Sequence, residues 1–225
     1  MINNNKFWKK YNLNKNKLIK KIVDYNNKFK FNFIEKGHYN HTRDIFALVL
    51  SNLDISQNKK ISVLDFGSNL LTLSNLNNKI NTSGIDFTIY DPFSSFDKKK
   101  IKIKNIKYKI INDLDKIYSK KFHMINFASS AQYQKDFIKN FNSFDLIKTK
   151  YILFTATPFS LGKTYESIQS NHTNLTQIVY SFDNIVKKLK SKKFKLIFKS
   201  KNDKKYIACK DTKFKTFSLN LIFKK

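Results

Sequence analysis

The chain reads as an α/β protein whose sheet is mostly parallel, with an antiparallel edge on its C-terminal side. Three observations predict this. Short apolar runs of β type alternate with stretches of helical period from about residue 40 to residue 200. Two of those runs stop at residues suited to a turn or a ligand, Gly67 and Asp91. The last part of the chain is richer in extended runs than in helices. Strands alternating with helices imply right-handed βαβ units and a sheet covered on both faces. With 225 residues, 41% of them hydrophobic, the chain can bury one sizeable core and has no room for two.

Residues 1–36 are expected to form an N-terminal helical extension, with Trp8, Tyr11, Leu18, Ile19, Ile22 and Val23 at helical spacing among lysines. Such a stripe packs on its own domain or lies on an anionic membrane surface, and the first is the expectation. Residues 37–225 form the main domain. Its first helix follows Gly37, with Thr42 as N-cap, Asp44 in the positive first turn, and Ile45, Leu48, Val49 and Leu53 on one face. Ile61 to Phe66 is an apolar strand closed by Gly67, and Leu70 to Lys79 reads as a helix. Strands are expected near Phe87–Tyr90, Tyr108–Ile111, His123–Phe127, Tyr151–Ala156 and Phe194–Lys199. Further extended runs follow at Tyr206–Cys209 and Phe217–Phe223. Helices are expected over Gln134–Phe144 and over Phe182–Lys190, the latter opened by Ser181.

The formal charge of +28 would suit a nucleic-acid or anionic-membrane partner. Of 44 basic residues, however, only Arg43 is arginine, and the abundance of Lys, Asn, Ile and Phe fits an AT-biased coding sequence. Specific readers of nucleic acid rely on arginine's planar fork, and no zinc-finger, helix-turn-helix or RNA-recognition pattern is present. No dedicated nucleic-acid binding is expected. The single cysteine, Cys209, excludes an intramolecular disulfide and a Cys-based zinc or iron–sulfur site. His38, His41 and Asp44 have ligand-like spacing but lack a further partner, so no metal is expected. The first 30 residues hold no apolar run of signal or membrane length, which makes cytoplasmic the expected location.

In a parallel α/β sheet ligands sit beyond the C-terminal ends of the strands, where the strand order reverses. The turn Asp65-Phe66-Gly67-Ser68-Asn69 is one such place. Asp91, 24 positions after Gly67, is another, at the distance where a carboxylate accepts from both ribose hydroxyls of a nucleoside cofactor.

Three stretches together resemble a known family. They are Val63-Leu64-Asp65-Phe66-Gly67, Phe127-Ala128-Ser129-Ser130-Ala131-Gln132-Tyr133, and Thr157-Pro158-Phe159 followed by Gln169. In order and spacing they resemble the class I, S-adenosylmethionine-dependent methyltransferases whose genes accompany cell-surface polysaccharide synthesis. The resemblance implies a Rossmann-like methyltransferase sandwich and S-adenosylmethionine as cofactor. It also implies a cofactor bed of Asp65, Gly67, Ser68 and Asn69, with Asp91 on the ribose and Asp113 at the adenine amino group. Ser129, Ser130, Gln132 and Tyr133 would line the floor between cofactor and acceptor, and Gln169 and His172 would face the acceptor. Where that family has a second glycine and a small residue, this chain has Ser68 and Leu71.

Methyl transfer needs a base only when the acceptor is a hydroxyl, and His172 on the loop after the fifth strand is the candidate. Its alternative is a histidine of a polar surface loop. Arg43 opens the helix before the cofactor strand, where it would grip a carboxylate of the cofactor or form an internal salt bridge. The function implied is O-methylation of a small molecule or glycan intermediate. The altered glycine turn keeps open a catalytically inactive, methyltransferase-like binding protein. Nothing in the sequence bears on the oligomeric state.

Overall fold

The computed structural model describes residues 20, 39–53, 60–67, 70–76, 79–92, 101–169, 175–202, 209 and 213–225, with only the backbone described at 39–43 and 71. Apart from Lys20, the expected N-terminal extension lies outside these residues, as does most of the Tyr206–Cys209 run.

Helix α1 (Tyr39–Ser51) precedes strand β1 (Ile61–Phe66), helix α2 (Leu71–Leu76), strand β2 (Ile85–Tyr90) and strand β3 (Tyr108–Ile111). Helix α3 (Leu114–Tyr118) leads to strand β4 (Met124–Ala128), a single 3-10 turn at Ala131–Tyr133, and helix α4 (Phe137–Asn140). Strand β5 (Tyr151–Ser160) is followed by a hairpin of β6 (Tyr165–Ile168) and β7 (Thr176–Ser181). Helix α5 (Phe182–Ser191), strand β8 (Lys195–Lys201) and strand β9 (Thr216–Lys224) complete the sequence of elements.

The sheet runs β3-β2-β1-β4-β5 with every neighbouring pair parallel. It continues through β9, antiparallel to β5, to β8, antiparallel to β9. The antiparallel edge expected from the extended C-terminal runs is this β9-β8 pair. Strand order reverses between β1 and β4. There β1 turns outward to β2 and β3 while β4 leads to β5, which puts the crevice above the C-terminal ends of β1 and β4.

Side chains alternate across each strand and so divide the core in two. Val63, Ile85, Phe87, Ile89, Met124, Leu153 and Ile222 pack under α1 and α2. Leu64, Phe66, Tyr90, Ile125, Phe127, Ile152, Phe154, Leu221 and Phe223 face α3, α4 and α5. Ser181 caps α5 as expected, its hydroxyl accepting from the Asn184 N–H.

Four expectations need correcting. α1 already includes Tyr39, so Thr42 lies inside the helix and not at its cap. Leu48 is exposed, because the face turned to the sheet is Ile45, Phe46, Val49, Leu50 and Leu53. The helix expected over 134–144 is broken: Asp136 has ψ +32°, outside the helical range, and the Gln134 carbonyl accepts from the Tyr180 hydroxyl. The run of 165–181 holds a β-hairpin where a loop was expected.

Candidate functional site

Gly67 closes β1 with φ +78°, a left-handed conformation that favours glycine. An ideal Cβ there would stand 2.4 Å from the Ser130 Cβ, so the turn after β1 rests directly on the turn after β4. The Gly67 N–H donates to the Tyr90 carbonyl at 2.8 Å and the Ser130 hydroxyl donates to the Phe66 carbonyl. The Ser129 N–H donates to the Thr155 carbonyl at 2.9 Å. The ends of β1, β2, β4 and β5 are thereby tied together at one rim. Three non-glycine residues near this rim have positive φ: Leu70 (+66°), Ser129 (+51°) and Ala156 (+48°). Such conformations cost about 1–3 kcal/mol each and cluster at ligand-binding sites.

Beneath the rim, polar side chains cross the α1 face of the sheet. Asp65, fully buried in β1, accepts from the Asn126 amide of β4 at 2.9 Å. The Thr155 hydroxyl of β5 reaches the Asn126 carbonyl at 3.4 Å. Asn220 of β9 accepts from the Ala156 N–H at 2.9 Å and donates to Ser200 and Asn202 at 3.1 and 2.8 Å. Ala156 is the bulged residue at which the register of β5 against β9 shifts, and Asn220 fills the gap the bulge leaves. Asp65, which the resemblance assigns to the cofactor bed, is thus hydrogen-bonded to β4 just below Gly67.

Asp91, 5% exposed, follows β2, its N–H donating to the Ile111 carbonyl at 3.0 Å. Asp113 follows β3 and caps α3: it accepts from the Asp115 N–H at 3.0 Å and lies 3.5 Å from the Lys116 ammonium. Near these two carboxylates the Tyr90 hydroxyl is buried with no hydrogen-bond partner among the described residues. Burial pushes its pKa above the usual phenol range, and Tyr118 and the charges of Asp91 and Asp113 add to this. It is a neutral donor at physiological pH.

On the other side of the crevice the Gln132 amide donates to the Ser129 hydroxyl at 3.0 Å, while its carbonyl oxygen is buried without a partner among the described residues. The Tyr133 hydroxyl donates to the Gln169 carbonyl oxygen at 3.0 Å. Gln169 follows β6, and its N–H closes the hairpin on the Leu175 carbonyl at 2.8 Å. Tyr133, expected on the floor between cofactor and acceptor, and Gln169, expected to face the acceptor, thus meet here, next to Gln132 in the chain. Ser68, Asn69 and His172 lie outside the described residues, as does the side chain of Arg43, whose backbone is in α1.

Cys209 is buried, accepts from the Gln177 amide at 3.3 Å, and has its thiol pushed up to about 11 by burial, so it is no thiolate nucleophile at neutral pH. Among the described residues no three His, Cys, Asp or Glu side chains are grouped to hold a metal, and no helix is long and apolar enough to cross a membrane. The sequence reading had missed Tyr90, Thr155 and Asn220. It had also missed Asn126, whose one available signal was a lone polar residue in the apolar run Met124-Ile125-Asn126-Phe127.

No family model and no curated protein matches the chain. Solved structures do. Magnesium protoporphyrin IX methyltransferase from Synechocystis PCC 6803, with bound SAH, aligns with 87% of this chain and 88% of its own at a TM-score of 0.54 and 10% identity. The N-terminal domain of EvdMO1, in the presence of SAH and D-fucose, aligns over 93% and 96% at 0.53 and 9%. A SAM-dependent methyltransferase from Leishmania major aligns over 91% and 82% at 0.51 and 13%. The fold is that of the class I methyltransferases. In this chain the β6-β7 hairpin comes between β5 and α5 and is tied to the turn after β4 by the Tyr133–Gln169 hydrogen bond.

Proposed function

We propose that the chain is an S-adenosylmethionine-dependent methyltransferase acting on a hydroxyl of a small molecule or glycan intermediate. The observation that carries this reading is the contact of Gly67 with Ser130, where even a methyl group would not fit, one strand away from the buried carboxylate Asp91. A bare backbone turn beside a carboxylate at the switch point suits an adenosyl group. Bound there, the cofactor supplies an electrophilic methyl on a sulfonium, with a neutral thioether as leaving group.

The remaining work falls to the protein. Asp91 accepts from the ribose hydroxyls, and Asp113 and the Tyr90 hydroxyl flank the base. Gln132 offers its unpartnered carbonyl oxygen to a donor on the acceptor. Tyr133 and Gln169, hydrogen-bonded to each other, hold the hairpin over the acceptor and keep water out. His172, between β6 and β7 in sequence, takes the hydroxyl proton. Ser68 and Asn69 contribute to the cofactor bed, and Arg43 grips the cofactor carboxylate. A sugar acceptor is in keeping with the EvdMO1 domain, whose structure was determined in the presence of D-fucose.

A second reading, a methyltransferase-like binding protein without turnover, is favoured by Ser68 and Leu71 standing where the family it resembles has small residues. Calorimetry with S-adenosylmethionine tests both. The active reading expects binding, and Asp91→Ala should weaken it by about 1–3 kcal/mol, the range for a lost charged hydrogen bond. No heat and no melting shift at millimolar cofactor would sink it. Tight binding with no methyl transfer to any sugar hydroxyl offered would favour the second.

A further inference from the structure

We propose that the flank formed by α5 and β8 docks the protein onto an anionic membrane surface. Residues 187–201 hold eight lysines and no acidic residue. The asymmetry extends beyond that stretch. Residues 182–225 carry 15 lysines and 3 aspartates, a net +12 in 44 residues, whereas residues 61–181 carry 16 lysines and 9 acidic residues, a net +7 in 121. A compositional bias toward lysine acts along the whole chain and leaves this concentration unexplained.

Local structural roles account for only part of it. Lys188 and Lys190 complement the negative end of α5, and Lys195 and Lys199 discourage pairing along the β8 edge. Lys193 has no such role. It follows the helix with φ +67°, and the turn is closed by the Lys193 and Phe194 N–H groups donating to the Lys190 and Leu189 carbonyls at 2.9 and 3.0 Å. Glycine or asparagine suits that position, and this chain uses asparagine freely. A lysine held there at a conformational cost adds one more charge to this flank. None of the lysines in 187–201 pairs with a carboxylate among the described residues.

The apolar part of the flank selects lipid. A bulge between Leu196 and Phe198 breaks the register of β8 against β9 and leaves Ile197 54% and Phe198 38% exposed, between Lys195 and Lys199. Two adjacent apolar side chains rimmed by ammonium groups match the boundary between headgroups and acyl chains. Single-stranded nucleic acid would instead need open aromatic faces. Apart from Phe198, rings on this flank are covered by lysine: Lys199 over Phe182 at 5.3 Å, Lys201 over Phe217 at 4.2 Å and Lys225 over Phe194 at 5.7 Å. The flank also holds no arginine.

Flotation with phosphatidylcholine vesicles, with and without phosphatidylserine, tests this. The full chain should float with phosphatidylserine vesicles at low salt, and high salt should release it. Each lysine near an anionic leaflet is worth about fivefold in partition, so Lys192→Gln, Lys195→Gln and Lys199→Gln together should lose about 100-fold. Lys107→Gln, Lys109→Gln and Lys120→Gln together, on the β3 side, should lose less than about tenfold. Ile197→Ser keeps every charge and should still lose about tenfold. Failure to float, equal losses in the two triple variants, or retention of a single-stranded RNA in place of vesicles would each overturn the proposal.

Discussion

The two faces of the sheet are built from different material. Under α1 and α2 the buried side chains are mostly aliphatic, with Phe46, Phe87 and Tyr151 the aromatic members of that cluster among the described residues. Under α3, α4 and α5, twelve of 22 are rings. There Phe127 stacks on Phe154 at 5.2 Å, and Phe137 meets both edge-on at 4.8 and 5.9 Å. The aliphatic face instead carries the polar series from Asp65 through Asn126 and Thr155 to Asn220. Large rings bury much apolar area and interlock, fixing β4 and β5 against each other. Hydrogen-bonded side chains add little net stability but set where each strand ends. Most of the ring packing thus lies on one side of the sheet, and the polar series that links the strands below the rim lies on the other.

Truncating the aromatic face should cost most. Phe154→Ala is expected to lower unfolding free energy by about 3–5 kcal/mol, while the folded fraction keeps its affinity for S-adenosylmethionine. Urea denaturation and calorimetry on the one variant check both halves. Next comes Gly67→Ala, expected to cost about 2–4 kcal/mol from the positive φ and the contact with Ser130, and to abolish cofactor binding. A variant that folds like the parent and still binds would mean the rim is more yielding than its geometry implies.

Asn126→Leu should destabilise by about 1–3 kcal/mol, because a buried carboxylate loses a donor, and should weaken cofactor binding at least tenfold. Should Phe154→Ala weaken binding more than Asn126→Leu does, the division of labour between the faces fails. The smallest effect belongs to His123, at the opposite end of β4. Its Nδ1 accepts from the Ser62 N–H at 3.0 Å, and burial, with Lys148 and Lys150 nearby, holds its pKa below the ordinary 6.5. The unfolded chain therefore takes up the proton first. His123 contributes stability that is present above pH 6.5 and lost as pH falls through its lowered value. Denaturation of His123→Gln should show a shallower decline between pH 7 and about pH 5 than the parent.

Strand positions were legible where parallel strands buried on both faces read as apolar runs, and β1, β2 and β4 fall within a residue or two of their runs. The β6-β7 hairpin was not legible. Tyr165, Ser167, Gln177 and Val179 are buried although two of them are polar, so no apolar alternation announced it. The short helices after β4 were misread as one, since the interruption comes from the Tyr180 hydroxyl, 46 positions away in sequence. Of the candidate site, the placement of Gly67 and Asp91 just after their strands was readable from the sequence. Asp113 was expected at the adenine, and the sequence did not show that its carboxylate caps α3. The polar series was hidden because its members come from β1, β4, β5 and β9, and only pairing brings them side by side.

The placement of β9 also bears on the order in which the protein can be assembled. β8 is synthesised before β9, yet among the described residues its only hydrogen-bonded neighbour is β9, which also covers the full length of β5 on that side. A growing chain that has reached residue 201 can align β1 to β5, but β8 still has no strand to join. Until β9 threads between them, two unpaired edges face each other across a gap one strand wide. Closure of the sheet is therefore a late event, and a chain stalled before β9 would expose the open flank of β5 to misassociation.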